Sequence, residues 1–189
     1  MLIIEGPDLV GKTTLVRALT TRLNELGWPH VHRHMGKPPD CWRQDPVSCY
    51  ARLCSTYLVQ DRFDLSELVY APLRDAQPHF SPTQHRSIVR NLRAHCSYLV
   101  VVTAHPALIE QRYASRPEMF SLDKVLLAND RFRQAAQDGE LDGYPIPVDL
   151  HLHCGGTCGE YPSLADVQLR TYTARLMASA PYPDAKRVL

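Results

Sequence analysis

Apolar positions along this chain follow two alternating rhythms. Short unbroken runs, LIIE at Leu2–Glu5 and SYLVVVTA at 97–104, have the density of strands buried on both faces. Other stretches place apolar residues three or four apart, as Leu15, Leu19, Leu23 and Leu26 do, and that spacing predicts amphipathic helices. Strands are predicted at 2–5, 29–34 (PHVHRH), 56–63 (TYLVQDRF), 97–104 and 145–153 (PIPVDLHLH), with the run at 97–104 in the middle of the sheet. Helices are predicted from Lys12 to a cap at Gly27 and from Asp45-Pro46 to about residue 55. A third runs from Ser81-Pro82 with Ile88, Val89 and Leu92 on one face, and two more lie near Pro106–Ser115 and 122–136. A last helix carries Ser163 and Asp166 near its start. Strands alternating with helices predict an α/β fold of three layers, a doubly wound central parallel sheet of about five strands with its ligand at the strands' carboxyl ends. The chain is read as a single domain over 1–180 with a tail at 181–189; most of its fifteen prolines fall between the periodic segments.

Between the first strand and the first helix lies GPDLVGKT, which meets the pattern G-x-x-x-x-G-K-[ST] at Gly6, Gly11, Lys12 and Thr13. Glycines let the backbone wrap an anion, and the following helix points its free N–H groups at it. Lys12 supplies a positive charge for the outer phosphates of a nucleotide, and the Thr13 hydroxyl is a candidate Mg²⁺ ligand. Gly6, Pro7, Asp8, Leu9, Val10, Gly11, Lys12, Thr13 and Thr14 are therefore the candidate ATP-binding residues, in a P-loop NTPase fold with ATP and Mg²⁺ as its cofactors.

The doubly wound geometry brings DRFDLSELVY into the same crevice. Asp61 and Arg62 leave the third strand at its carboxyl end. A carboxylate there can accept a proton from an attacking hydroxyl or hold Mg²⁺ through water, and a guanidinium can steer the acceptor or steady the phosphoryl group. The bland alternative is a salt-bridged pair capping the next helix. Arg112 and Arg116, four apart in IEQRYASRPEMF, share one face of a predicted helix and are candidates for a lid over the phosphates. They could equally pair with Glu110 or Glu118 on a solvated face. Ser66, Glu67, Tyr70 and Arg74, three or four apart, would line the acceptor side of the crevice, where a serine suits a base edge, a tyrosine a base face and an arginine a phosphate.

Charge narrows the field less. Lys and Arg number 21 against 20 Asp and Glu, so no global field advertises nucleic acid or membrane. No apolar run approaches membrane-spanning length and the N-terminus reads as a strand, so a cytoplasmic protein with reduced thiols at its six cysteines is expected. His30, His32 and His34 alternate along one strand face and suit an edge strand, a nucleic-acid backbone with Arg33 and Lys37, or a metal cluster. His151, His153, Cys154 and Cys158 are zinc ligands by type, but without paired-knuckle spacing.

Taken together, EGPDLVGKTT, DRF and RYASRP resemble the thymidylate-kinase-like group of P-loop kinases, from residue 1 to about 136. The resemblance implies that Asp8 contacts the acceptor's sugar and that Asp61, Arg62 and Phe63 form the group's Asp-Arg-aromatic motif. HMGKPP and DRFDLSELVYAPLR look most like bacteriophage-encoded members. Those include predicted thymidylate kinases and kinases of 5-hydroxymethyl-deoxyuridine built into phage DNA, which would work in the host cytoplasm. DLSELVYAPLR does not reproduce the small-residue and Gln pattern that helps seat thymine in cellular enzymes. The resemblance thus implies Lys12, Asp61, Arg62, Arg112 and Arg116 as catalytic residues, and Asp8, Arg62, Ser66, Tyr70 and Arg74 as acceptor-binding ones. The acceptor is expected to be 5-hydroxymethyluracil-containing DNA or a thymidine-type nucleotide, with no membrane partner; a second copy of the chain is a candidate partner. An NTPase that hydrolyses nucleotide for a partner usually carries an aspartate at the end of a Walker-B strand, whereas SYLVVVTAHP has Thr103 there.

Overall fold

The computed structural model describes residues 1–25, 27, 30–54, 58–95, 97–116 and 118–155. The helix expected beyond Ser163 and the tail at 181–189 lie outside these residues, as do Trp28, Cys96 and Cys158. Chain order gives β1 (Leu2–Glu5), α1 (Lys12–Glu25), β2 (Val31–His34), a 3₁₀ turn (Asp40–Arg43), α2 (Pro46–Ala51), β3 (Leu58–Asp61), α3 (Asp64–Leu73) and α4 (Pro82–Ala94). Then follow β4 (Tyr98–Ala104), α5 (Pro106–Ser115), α6 (Leu122–Asp138), β5 (Glu140–Leu141), β6 (Tyr144–Pro145) and β7 (Leu150–Cys154).

Five strands form one parallel sheet in the order β2-β3-β1-β4-β7, the expected strand count and sense, in a three-layer P-loop-type fold. β1 is buried along its whole length because it is the central strand, flanked by β3 and β4. The run at 97–104 is interior as its composition predicts, with β7 on its other side. β2 is shorter than 29–34 and sits at the sheet edge with all four residues exposed, which is where alternating His and Arg are tolerated.

Helix starts follow their cap chemistry. Asp45 accepts a hydrogen bond from Ser48 N at 3.1 Å, and Ser81 with Gln84 closes a reciprocal capping box ahead of α4. α6 ends on Gly139 at φ +69°. The last strand departs from its predicted span. PIPVDLHLH is not one strand, because Pro145 and Pro147 lack the N–H a ladder needs, and only Leu150–Cys154 joins the sheet. Ahead of it, Asp142 (φ +52°) and Gly143 (φ +80°) turn a two-residue hairpin between β5 and β6. The core gathers Ile3 and Val101 from the sheet with Phe132 of α6 and an aromatic cluster. In that cluster Tyr50 meets Phe63, Phe80 and Trp42 edge to face at 5.0, 5.6 and 5.2 Å.

No helix among the described residues is long and apolar enough to cross a membrane.

Candidate active site

The loop after β1 adopts the backbone that an anion cradle needs. Gly6, Leu9 and Gly11 have φ of +149°, +67° and +100°, so successive N–H groups turn inward before α1 begins at Lys12. A Cβ at Gly6 would lie 2.1 Å from the Val102 carbonyl oxygen of β4, inside any tolerable contact. Gly6→Ala is therefore expected to cost on the order of 1–3 kcal/mol of stability from backbone strain alone. Thermal unfolding of the variant checks this, and an unchanged Tm would contradict it.

Lys12 is 7 % exposed, and its Nζ donates to the Pro7 carbonyl. Burial, helped by the positive Arg62, lowers its pKa to about 8. Beside the loop lies a cleft of about 830 Å³ lined by Lys12, Thr13, Thr14, Arg112, Arg116 and Glu118, among others. Arg112 and Arg116, the candidate lid residues, thus both face the loop after β1, by different routes. Arg112, in the last turn of α5, donates to the Leu9 carbonyl at 2.6 Å and ties that helix to the loop. Arg116 is the residue that ends α5; it is largely exposed and lies 3.4 Å from Glu118.

Parallel pairing of β1 with β3 sets Ile4 beside Asp61 and so delivers Asp61 and Arg62 next to the loop. Asp61 is 6 % exposed. Its Oδ2 lies 3.0 Å from His34 Nδ1, and its Oδ1 is buried without a hydrogen-bond partner. The partnership with His34 follows from register, since β2 pairs His34 with Asp61. His32 shares that strand face by alternation, while His30 precedes the strand, so the histidine row is shorter than expected.

Arg62 holds the left-handed conformation at φ +66°, rare for a residue with a side chain. Its guanidinium is ion-paired with Asp8 and sits 5.0 Å over the Tyr70 ring. Tyr70 in turn donates its hydroxyl to Asp8 Oδ2 at 3.2 Å and accepts from Asp8 N at 3.1 Å. Asp8, Arg62 and Tyr70, three of the expected acceptor residues, therefore form one network. A smaller cavity of about 240 Å³ adjoins it, lined by Lys37, Arg62, Ser66, Glu67, Tyr70 and Arg74 with neighbouring apolar residues. Ser66 lines it, but the hydroxyl expected to meet a base edge is committed to Glu5 at 2.5 Å. Arg74 is paired with the buried Glu67 at 3.1 Å, and His79 holds the other Glu67 oxygen at 2.6 Å.

Two residues of this region lie outside the predicted site residues. His79 enters from the loop before α4, and nothing local in the sequence marks it as a partner of Glu67. Glu5 had a signal: an acid ending an otherwise apolar strand must find partners. It is fully buried, and burial pushes its carboxyl up to about 7.

At the other edge of the sheet, His151 Nε2 and His153 Nδ1 lie 2.8 and 2.9 Å from the Thr103 hydroxyl, while Cys154 Sγ approaches the Val10 carbonyl at 3.6 Å. Strand alternation thus sends Cys154 to the opposite face from the two histidines. Burial, and for His151 the neighbouring His153, lowers the pKa of both histidines. Cys41, Cys49, Cys54 and Cys154 are free of disulfides.

No protein-family model matches the chain, and no curated protein matches it. Among solved structures, the YorR protein from Bacillus subtilis, in complex with phosphorylated GDP, superposes with a TM-score of 0.66 at 20% identity, over 96% of this chain and 99% of that one. A second, APE1195, gives a TM-score of 0.43 at 14% identity over 94% of each chain. The likeness to YorR is one of fold alone.

Proposed function

We propose that this chain is an ATP-dependent phosphotransferase that moves the γ-phosphoryl group onto a thymidine-type deoxynucleoside unit. One observation carries the reading: β1 and β3 bring an intact phosphate loop and the Asp61–Arg62 corner side by side, and Asp8, a loop residue, is ion-paired with Arg62. A loop built only to bind nucleotide needs no such corner. In the proposed reaction the acceptor oxygen forms a bond to the γ-phosphorus, the bond to the β–γ bridging oxygen breaks, and the electron pair leaves on ADP. Asp61 Oδ1, buried and without a hydrogen-bond partner, takes the acceptor proton or anchors a metal-bound water. Lys12, Arg62, Arg112 and Arg116 offset charge on the phosphoryl oxygens. Thr13 and Asp61 would hold Mg²⁺: a hydroxyl and a carboxylate oxygen suit a hard cation, and the unpartnered Oδ1 leaves a ligand atom to spare. Bound there, Mg²⁺ supplies charge neutralisation at the outer phosphates.

For the acceptor we favour the hydroxymethyl group of 5-hydroxymethyl-deoxyuridine within DNA. Support comes from the phage-type motifs, from the exposed edge strand that carries His32, Arg33 and His34, and from Lys37 beside the acceptor cavity. A free thymidine monophosphate is the second reading, favoured by the three cations that line that cavity, Lys37, Arg62 and Arg74. The test is mass spectrometry of products after incubation with ATP and hydroxymethyluracil DNA, dTMP, or neither. Transfer to DNA that falls steeply with salt supports the first reading, because phosphate contacts weaken as salt rises. Faster, salt-insensitive transfer to dTMP replaces it with the second, and ADP release without any acceptor would favour a hydrolase.

A pH signature accompanies the donor site. Lys12 must be protonated to pair with phosphate, and its pKa lies near 8 rather than 10.5. ATP affinity is expected to be flat below pH 8 and to fall by up to about tenfold per pH unit above it. Calorimetric titration across pH 7 to 10 reads this directly, with Lys12→Met as the control that shows no such fall.

A further inference from the structure

We propose that Glu5 is a positioning residue that holds the Asp61–Arg62 corner in place against the phosphate loop. Glu5 ends β1, one residue before Gly6, and its side chain reaches across to the start of α3. Oε1 accepts from Phe63 N at 2.8 Å and Ser66 N at 3.1 Å, and Oε2 accepts from Ser66 Oγ at 2.5 Å. Phe63, the N-cap of α3, makes no side-chain capping hydrogen bond of its own, so the cap comes from a different strand. The segment that this cap secures contains the left-handed Arg62, a conformation that persists only where its surroundings fix both flanks. On the near side Arg62 N donates to Ile4 O at 2.9 Å, and Gln60 Nε2 donates to Arg62 O at 2.8 Å. On the far side the hold is Glu5. The last two residues of β1 therefore grip the corner before and after the strained residue, and the same strand feeds the phosphate loop.

Glu5 itself is fully buried, and all three of its hydrogen bonds run to α3 and its cap, so it acts through Phe63 and Ser66 and does not touch the reacting atoms. Lys12, Arg62, Asp64 and Tyr50 surround it electrostatically. The inference rests on the proposed phosphotransfer only for its turnover readout.

The experiment combines amide hydrogen exchange with kinetics on Glu5→Ala, Glu5→Gln and Ser66→Ala in the full chain. Glu5→Ala is expected to speed exchange at the Phe63 and Ser66 amides at least about tenfold. Turnover should fall about 10²-fold while the KM for ATP stays within about twofold, a split that general destabilisation does not produce. Glu5→Gln should restore most of both, since its amide oxygen still accepts the two N–H groups and its NH₂ can donate to Ser66 Oγ. Ser66→Ala removes one bond without disturbing the fold and should give a smaller change of the same kind. Unchanged exchange at both amides in Glu5→Ala overturns the proposal, as does equal damage in Ala and Gln with ATP affinity lost in proportion. If the alanine variant does not fold, Ser66→Ala and Glu5→Gln decide alone: protection lost in the first and kept in the second supports the positioning role, and no change in the first refutes it. Absent turnover in the unaltered protein on every acceptor would count against the phosphotransfer reading, while the exchange result still decides the role of Glu5.

Discussion

Lys12→Ala should lower phosphoryl transfer by about 10²-fold or more while leaving the protein folded. The rate effect follows from removing a preorganised charge from a water-poor site, where one such contact is worth about 10²–10³ in turnover. The stability effect runs the other way. Burial lowers the Lys12 pKa from 10.5 to about 8, so at neutral pH the fold carries a penalty for keeping this ammonium charged, on the order of 3 kcal/mol. The sign is that of a depressed basic group: the penalty is present below pH 8 and vanishes as pH rises towards 10.5. Alanine removes both the charge and the penalty, so Tm at pH 7 should hold or rise while turnover falls. Steady-state kinetics and thermal unfolding on the same preparation measure the two together. Full activity in the variant would sink the phosphate-loop assignment.

Asp61→Asn is expected to be comparably severe, with turnover down about 10²–10⁴-fold, the range for removal of a general base. Asparagine keeps the size of the side chain and can still meet His34 across the strand pair, so structural damage should be small. What it loses is the charge on Oδ1, the oxygen buried without a hydrogen-bond partner. ATP affinity should change by no more than a few-fold, because the phosphate loop is untouched. Single-turnover kinetics with ATP binding measured in parallel test this. Turnover within about threefold of the unaltered protein would reduce Asp61 to a structural partner of His34.

Local pattern made the position of the Gly6–Thr13 loop between strand and helix, the five parallel strands and the exit of Asp61 from its strand legible, since glycine spacing, apolar runs and cap residues are all short-range signals. The β5–β6 hairpin carried a short-range signal too, the Asp142-Gly143 pair, but the strands on either side are two residues each and give no alternation to read. The partners of the site residues were a different matter. His34 reaches Asp61 because an edge strand pairs in one register out of several that its sequence permits. Ser66 serves Glu5 because α3 starts beside the end of β1, which no helical spacing reveals. Arg62 is unexceptional as a letter and becomes unusual only through its φ of +66°. Types of group were readable from sequence, while the atoms they bind depended on long-range packing.

The central place of β1 has a consequence for how the molecule is made. Leu2 pairs with Val59 on one side and with Tyr98 on the other, so the strand that leads into the phosphate loop has no neighbours until much later parts of the chain exist. Non-local parallel pairing of this kind is slow to form, because loop closure comes before any contact offsets it. Gly6 is roofed by the carbonyl of Val102, so the loop acquires its final shape only when β4 docks. A nascent chain emerging from the ribosome would carry all of Gly6 to Thr13 early and yet lack the formed loop. The nucleotide affinity proposed for that loop should therefore appear late and abruptly in folding, as a property of the completed sheet.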